Sequence, residues 1–327
     1  MLAHKQAKRQ ENNKRQDMKR NIAVILAGGV GSRLGMSTPK QFFKVAGKMV
    51  VEHTVDVFER NSRIDEIAIV SNPMLIADFE NIVLRNKWRK VKKILKGGKE
   101  RYDSSLSAIQ AYADEDVNLI FHDAVRPLLS QRTLNDVIDA LHDHKAIDVA
   151  VPSADTIIEV EGDYIANIPD RSRLRRGQTP QAFDRQLIQQ AYEKALQDPD
   201  FKTTDDCGVV RRYTSEPVFV VSGEESNMKL TYREDTYMMD KLFQLKNTEP
   251  DNNELSAETF GDKVAVVFGG SYGIGTNLNA NTPEELAAMK ADIALYKRIR
   301  PLVQFGKLYR LHSELRGGYL AWQYVKD

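Results

Sequence analysis

From Asn21 onward, short apolar runs alternate with longer stretches in which apolar residues recur every three or four positions. The runs Ile22 to Leu26, Ile67 to Val70, Val91 to Leu95, Leu119 to Phe121 and Val149 to Val151 are bounded by Gly, Asp, Asn or Pro, which predicts strands. Between them, Val51, Val55 and Phe58, and then Leu106, Ile109 and Ala113, fall on single helical faces that would pack on a sheet. This alternation predicts an α/β domain built on a mostly parallel, twisted sheet. Thr156 to Val160 and Tyr164 to Ile168 flank the turn Glu161-Gly162-Asp163, the pattern of a β-hairpin arm. A helix over 184–196, a strand over 218–221 and a last helix over 234–245 would close the domain.

Residues 246–262 are rich in Asn, Glu, Asp and Thr and read as a linker. A strand at Val264 to Phe268, a helix from Pro283 to Ile299 and a second hairpin turning at Gly317-Gly318 are expected after it. The expected organisation is therefore a basic tail over 1–20, a main domain over 21–245, the linker, and a small C-terminal segment over 263–327. The tail carries Lys5, Lys8, Arg9, Lys14, Arg15, Lys19 and Arg20 without an apolar core, which reads as solvated chain and not as a signal peptide.

Charge adds little. Lys and Arg number 47 against 46 Asp and Glu, a net charge of +1, so composition points to no nucleic-acid or membrane partner. No stretch approaches the roughly 20 apolar residues that span a bilayer. The single cysteine, Cys207, excludes an intrachain disulfide and a cysteine zinc site, and a reducing, cytoplasmic setting is expected. Cys207 reads as a small, partly buried thiol, because no histidine lies nearby in sequence to activate it.

Candidate chemistry begins where the first strand runs into LAGGVGSRLGMSTPKQ, Leu26 to Gln41. Ala27, Gly28, Gly29 and Gly31 let backbone N–H groups approach an anion, and Arg33 and Lys40 add positive charge, which together predict a phosphate cradle. The spacing is not that of a P-loop, and no acidic ribose partner follows as in a dinucleotide fingerprint. GGKERYDSS, Gly97 to Ser105, lies between a strand and a helix, and Asp103, Ser104 and Ser105 are also good helix caps. HDAVRP, His122 to Pro127, places Asp123 just beyond a strand, where ligands of open α/β sheets bind. A single carboxylate there suits Mg2+, which takes most of its remaining ligands from phosphate and water. His122 reads as structural. PDRSRLRRGQTPQAF, Pro169 to Phe183, then TDDCGVV, Thr204 to Val210, and NMKLTYRED, Asn227 to Asp235, complete the set.

In this order the motifs resemble the 2-C-methyl-D-erythritol 4-phosphate cytidylyltransferases and their ribitol-5-phosphate relatives, over Ile22 to about Phe243. The resemblance implies a Rossmann-like nucleotidyltransferase fold and transfer of CMP from CTP to a polyol phosphate. It implies catalytic roles for Arg33, Lys40 and Lys229. Nucleotide binding would fall to Ala27, Gly28, Gly29, Gly31, Gly97, Arg101, Ser104 or Ser105, and Asp123, with Asp123 also holding Mg2+. Arg126, Arg171, Thr179, Asp205 and Lys229 would bind the acceptor, and the arm over 152–172 would join a homodimer.

KVAVVFGGSYGIG, Lys263 to Gly275, is similar to the opening strand and turn of a short-chain dehydrogenase/reductase. About fifty residues follow it, without a Tyr-x-x-x-Lys pair, so a truncated domain without reductase activity is expected. That organisation is similar to bifunctional enzymes that make ribitol 5-phosphate and then CDP-ribitol, which tilts the expected acceptor toward ribitol 5-phosphate. The alternatives are 2-C-methyl-D-erythritol 4-phosphate as acceptor, or an NADPH-dependent ribulose-5-phosphate reductase. The stretch MKADIALYKRIRPLVQFGKLYRL is similar to a short piece of a family of α-galactosidases, which leaves a galactoside-binding fragment as a third reading.

Overall fold

The computed structural model describes residues 19–29, 39–248, 310–313 and 318–321, and the chain divides into the compact units Met1–Glu249 and Pro250–Asp327. In chain order the first unit carries β1 (Arg20–Ala27), the small hairpin β2 (Lys44–Val45) and β3 (Lys48–Met49), α1 (Val50–Arg60), β4 (Glu66–Ser71) and α2 (Ile76–Asn86). Next come β5 (Val91–Lys96), α3 (Arg101–Ala111), β6 (Val117–Asp123), α4 (Gln131–Ala140) and β7 (Ala146–Pro152). The arm hairpin β8 (Glu159–Glu161) and β9 (Tyr164–Asn167) leads to β10 (Arg175–Gly177) and β11 (Gln181–Asp184). Then follow α5 (Arg185–Ala195), α6 (Asp206–Tyr213), β12 (Phe219–Ser222) and α7 (Asp235–Thr248).

β1 is the centre of the sheet, paired in parallel with β4 on one side and β6 on the other, and β5 extends the sheet beyond β4. Past β6 the order changes. β11 runs antiparallel to both β6 and β7 and wedges between them, while β10 continues along the same edge of β7. That edge is fixed by register: Ile147 pairs with Ala182 and with Phe219, so β11 and β12 lie on opposite sides of β7. The mostly parallel sheet expected from the sequence is present, with β10 and β11 as its antiparallel members.

The strands are apolar on both faces because both are covered. Ala23, Ile25 and Ala27 of β1 pack with Val51, Val55 and Phe58 of α1 and with residues of α2 and α4. Ile22 and Val24 face Ala108 and Ile109 of α3, Ile188 and Tyr192 of α5, and Val210 of α6. Each such buried aliphatic or aromatic side chain contributes about 1.5–3 kcal/mol, so the central strands are the most firmly held part of the unit. A smaller cluster, Val45, Val50, Leu128, Leu230 and Met239, joins β2, the start of α1 and two loops to α7.

The arm follows the expected turn, with Gly162 at φ +59°, a left-handed geometry that glycine adopts without a Cβ penalty. Ala113, expected on the helical face of α3, lies beyond its end at Ala111. In the second unit, β13 (Arg310–Ser313) and β14 (Gly318–Ala321) pair antiparallel, so Gly318 opens a strand and does not turn the hairpin. The tail over 1–18, Gly31, Arg33, the linker from residue 249, the reductase-like strand and turn, and the helix expected over 283–299 lie outside the described residues.

Candidate active site

Among the described residues, candidates from the glycine segment, Gly97 to Ser105 and Asp123 lie at the C-terminal ends of β1, β5 and β6. The Gln41 side-chain amide, 2% exposed, donates to the Ala27 carbonyl at 3.1 Å and so holds the short 3-10 turn Lys40–Phe42 against the end of β1. Phe42 packs on Phe79 with ring centroids 5.3 Å apart, which fixes the turn from the other side. Lys40 is thereby carried beside the Ala27-Gly28-Gly29 segment.

Ser104, in the first turn of α3, projects its hydroxyl into space that side chains at two glycines would fill. A Cβ on Gly28 would meet Ser104 Oγ at 3.1 Å, and one on Gly97 would meet it at 2.7 Å. A side chain at either glycine would crowd this hydroxyl. Ser104 and Ser105 are both buried, and Ser104 is the one whose hydroxyl lies against Gly28 and Gly97. Gly98 is constrained more severely, since a Cβ there would lie 2.2 Å from Asp103 Cβ, while the Asp103 carboxylate accepts the Glu100 N–H at 2.9 Å as part of the α3 cap. Gly98→Ala is expected to break this cap, worth about 1 kcal/mol, and to raise KM for the nucleotide about tenfold, read from steady-state kinetics alongside thermal melting.

Asp123 ends β6 and is surrounded by positive charge. Lys229 Nζ lies 2.9 Å and Arg126 Nε 3.4 Å from its Oδ2, and Arg101 Nε lies 4.0 Å from Oδ1. Burial works against its charge, but Lys229, Arg101 and Arg126 hold the carboxyl well below the usual carboxylate range. The Lys229 segment is docked by the Leu230 N–H, which donates to the Val125 carbonyl at 2.9 Å. Arg126 also donates to the Asn227 carbonyl at 2.8 Å.

Several site residues expected from the sequence take other places. Thr179 is buried under Asp123, where its Oγ1 accepts the Asp123 N–H at 3.2 Å and lies 2.9 Å from His122 Nδ1. His122 Nε2 lies 3.0 Å from the Arg126 carbonyl, which can only accept, so the proton is on Nε2 and Nδ1 takes the Thr179 hydroxyl proton. Thr179 thus fixes the Asp123 backbone from inside. Asp205 caps α6 by accepting the Gly208 N–H at 2.8 Å and takes the Gln181 amide at 2.9 Å. It is the next residue, the fully buried Asp206, that reaches the site by pairing with Arg101. Arg101 therefore turns its guanidinium toward carboxylates. Arg171 sits at the root of the arm and donates to the Ala154 carbonyl at 3.2 Å, outside the group of residues in contact with Asp123. Asp206 lies in the TDD motif, Thr204 to Asp206, which the sequence marks without giving Asp206 a role, whereas Gln181 and Tyr192 carry no local signal of their own.

Cys207 is buried, and burial together with Asp148, Asp205 and Asp206 pushes its thiol up, so it stays protonated. Burial pushes His122 down from 6.5 to about 4, against the bond to the Arg126 carbonyl. Asp148 moves the other way, from 3.8 to about 6, through burial and the nearby Asp205 charge, against the Gln181 hydrogen bond. Between pH 6.5 and about 4 the unfolded chain takes up a proton that native His122 refuses, so this part of the stability falls as pH is lowered. Between about 6 and 3.8 native Asp148 holds a proton that the unfolded chain releases, so its part rises as pH is lowered. The two offset each other in the wild type. Asp148→Asn is expected to leave the His122 contribution uncovered, so that the urea midpoint falls more steeply from pH 6 to pH 4 than in the wild type.

Among the described residues no cluster of three or more His, Cys, Asp or Glu could hold a metal, and no helix is long and apolar enough to cross a membrane. The cleft offers one ionised carboxylate beside cationic side chains, which fits a cation shared with bound phosphates and not one held by protein alone.

The family described as 2-C-methyl-D-erythritol 4-phosphate cytidylyltransferase matches residues 21–246. The chain is 45% identical over 267 residues to the bifunctional ribulose 5-phosphate reductase/CDP-ribitol pyrophosphorylase Bcs1 of Haemophilus influenzae, covering 79% of this chain and 56% of that protein. It thus spans about half the length of that relative. It is 44% identical over 231 residues to the 2-C-methyl-D-erythritol 4-phosphate cytidylyltransferase of Thermobifida fusca, covering 68% of this chain and 93% of that one. Among solved structures, the 4-diphosphocytidyl-2C-methyl-D-erythritol synthase of Anaerococcus prevotii superposes with a TM-score of 0.62 at 32% identity, over 69% of this chain and 96% of its own.

Proposed function

Because this chain belongs to the 2-C-methyl-D-erythritol 4-phosphate cytidylyltransferase family, we propose that it transfers CMP from CTP to D-ribitol 5-phosphate, giving CDP-ribitol and pyrophosphate. The observation that carries the choice of acceptor is the breadth of its similarity to the bifunctional Haemophilus protein, which takes in 79% of the chain and so reaches beyond residues 21–246. The near-equal identity to the Thermobifida fusca enzyme supports a second reading, 2-C-methyl-D-erythritol 4-phosphate as acceptor. Pyrophosphate release from CTP, followed with each polyol phosphate in turn, tests the choice. Release only with the methylerythritol phosphate would overturn ribitol 5-phosphate.

In the reaction an acceptor phosphate oxygen forms a bond to the α-phosphorus of CTP, the bond from that phosphorus to the α–β bridging oxygen breaks, and pyrophosphate leaves. The nucleophile needs no general base, because a phosphate monoester with a second pKa near ~6 is already largely a dianion at neutral pH. The barrier is the mutual repulsion of two polyanions, so fixed cations and N–H donors carry the catalysis. The sequence pattern assigns Lys40 and Arg33 to the triphosphate, with Ala27, Gly28, Gly29 and Gly31 as its backbone N–H donors. Ser104 and Gly97 hold the nucleoside. Asp123 would hold Mg2+, which when bound supplies positive charge between phosphate oxygens. Lys229 and Arg171 neutralise the acceptor phosphate, and Arg126 orients Asp123 and Lys229.

A homodimer is part of the same reading. Ile157, Ile158, Val160, Tyr164, Ile165 and Ile168 of the arm are all at least 42% exposed, an apolar surface that suits a second copy of the chain, and sedimentation tests it. A cytoplasmic location rests on the single, reduced cysteine.

A further inference from the structure

Asp206 is a fully buried carboxylate at the start of α6, 105 positions after its partner Arg101 in sequence. Tyr192 donates its hydroxyl to Oδ1 of Asp206 at 2.6 Å, and Arg101 donates Nη1 to Oδ2. Burial and the neighbouring Asp206 keep the Tyr192 phenol protonated, so it remains a donor. The guanidinium therefore stands between two carboxylates and has chosen one. A buried charge has no water to replace a lost partner; Asp206 is completely buried and Asp123 nearly so, but Asp123 has two other cations beside it. Those cations, Lys229 and Arg126, both lie on Oδ2 of Asp123. Oδ1 faces Arg101 Nε at 4.0 Å, beyond hydrogen-bond reach.

We propose that Asp206, supported by Tyr192, is a positioning residue that withholds the Arg101 guanidinium from Oδ1 of Asp123 and so keeps that oxygen for the divalent cation that accompanies the nucleotide. This role rests on the cation-binding and nucleotide-binding reading of Asp123 given above. Without the negative charge at 206, the planar guanidinium fork closes on Asp123 as a two-point ion pair, and all three neighbouring cations then occupy the one carboxylate.

The test is CTP binding by the full chain without acceptor, followed by calorimetry while MgCl2 is varied, with thermal melting as a check on folding. Asp206→Asn keeps the shape and removes the charge. It is expected to need about tenfold more magnesium for half-maximal CTP affinity, the scale of one charge-assisted hydrogen bond. Adding Arg101→Met to Asp206→Asn removes the competing guanidinium and is expected to bring the magnesium midpoint back toward that of the wild type, even though CTP affinity at saturating magnesium falls with the loss of Arg101 as a nucleotide contact. A purely structural role for Asp206 gives no such rescue. If Asp206→Asn fails to fold, Arg101→Lys serves instead: a point charge follows the buried carboxylate, and the magnesium requirement stays at or below that of the wild type. An unchanged requirement in Asp206→Asn, a double variant no better than the single one, or a raised requirement in Arg101→Lys overturns this role alone. Wild-type protein that binds no CTP at any magnesium concentration overturns the nucleotide reading and this role with it.

Discussion

Lys40→Ala is expected to lower kcat by on the order of 10²-fold or more while leaving the melting temperature close to that of the wild type. Its turn is held by groups other than the lysine itself: the Gln41 amide on the Ala27 carbonyl and the Phe42 ring on Phe79. Removing the ammonium thus removes the positive charge proposed to meet the triphosphate while leaving these two contacts in place. Negative charge grows on the departing oxygen, and the two anions are pressed together, toward the transition state, so the loss falls on kcat more than on KM. Steady-state kinetics with CTP and the preferred polyol phosphate, together with a melting curve, measure it. Turnover equal to that of the wild type would remove Lys40 from the mechanism.

Phe121→Ala acts on the other link, from packing to stability. Phe121 is fully buried on β6, faces the cluster shared by α3 and α5, and meets Phe183 of β11 at a centroid distance of 6.0 Å. Truncating it leaves a cavity between the sheet and two helices that cannot easily collapse, because the neighbouring strands are hydrogen-bonded on both sides. A loss of about 3–5 kcal/mol is expected, a large part of the stability of an ordinary domain. Urea denaturation should show a lower midpoint with an unchanged slope. The activity of the folded fraction should fall as well, since Asp123 lies two residues further along the same strand. A shift of less than 1 kcal/mol would show that this region repacks.

The short strand signals were legible in the sequence for a physical reason. A strand covered on both faces must be apolar throughout, and a turn at its end must be Gly, Asn, Asp or Pro. β1, β4, β6 and β7 therefore announce themselves locally, as does the glycine segment from Ala27. β10 and β11 do not. Arg175, Arg176 and Gly177 are exposed, and β11 offers only Gln181 to Asp184, so the polar character of the segment hides strands that exist because β6 and β7 leave an edge between them.

What the chain determined by itself is the set of elements and the chemistry of single loops: a glycine cradle, a lysine after it, an aspartate beyond a strand. Tertiary structure alone decided which polar side chains meet. Thr179 under His122 and Asp123, Gln41 on Ala27, and Asp206 with Tyr192 holding Arg101 join positions from 14 to 105 residues apart. Apolar periodicity records only which face of an element is buried, whereas a buried carboxylate or hydroxyl is tolerated only once a distant partner arrives to satisfy it, and that partner leaves no mark in the neighbouring sequence.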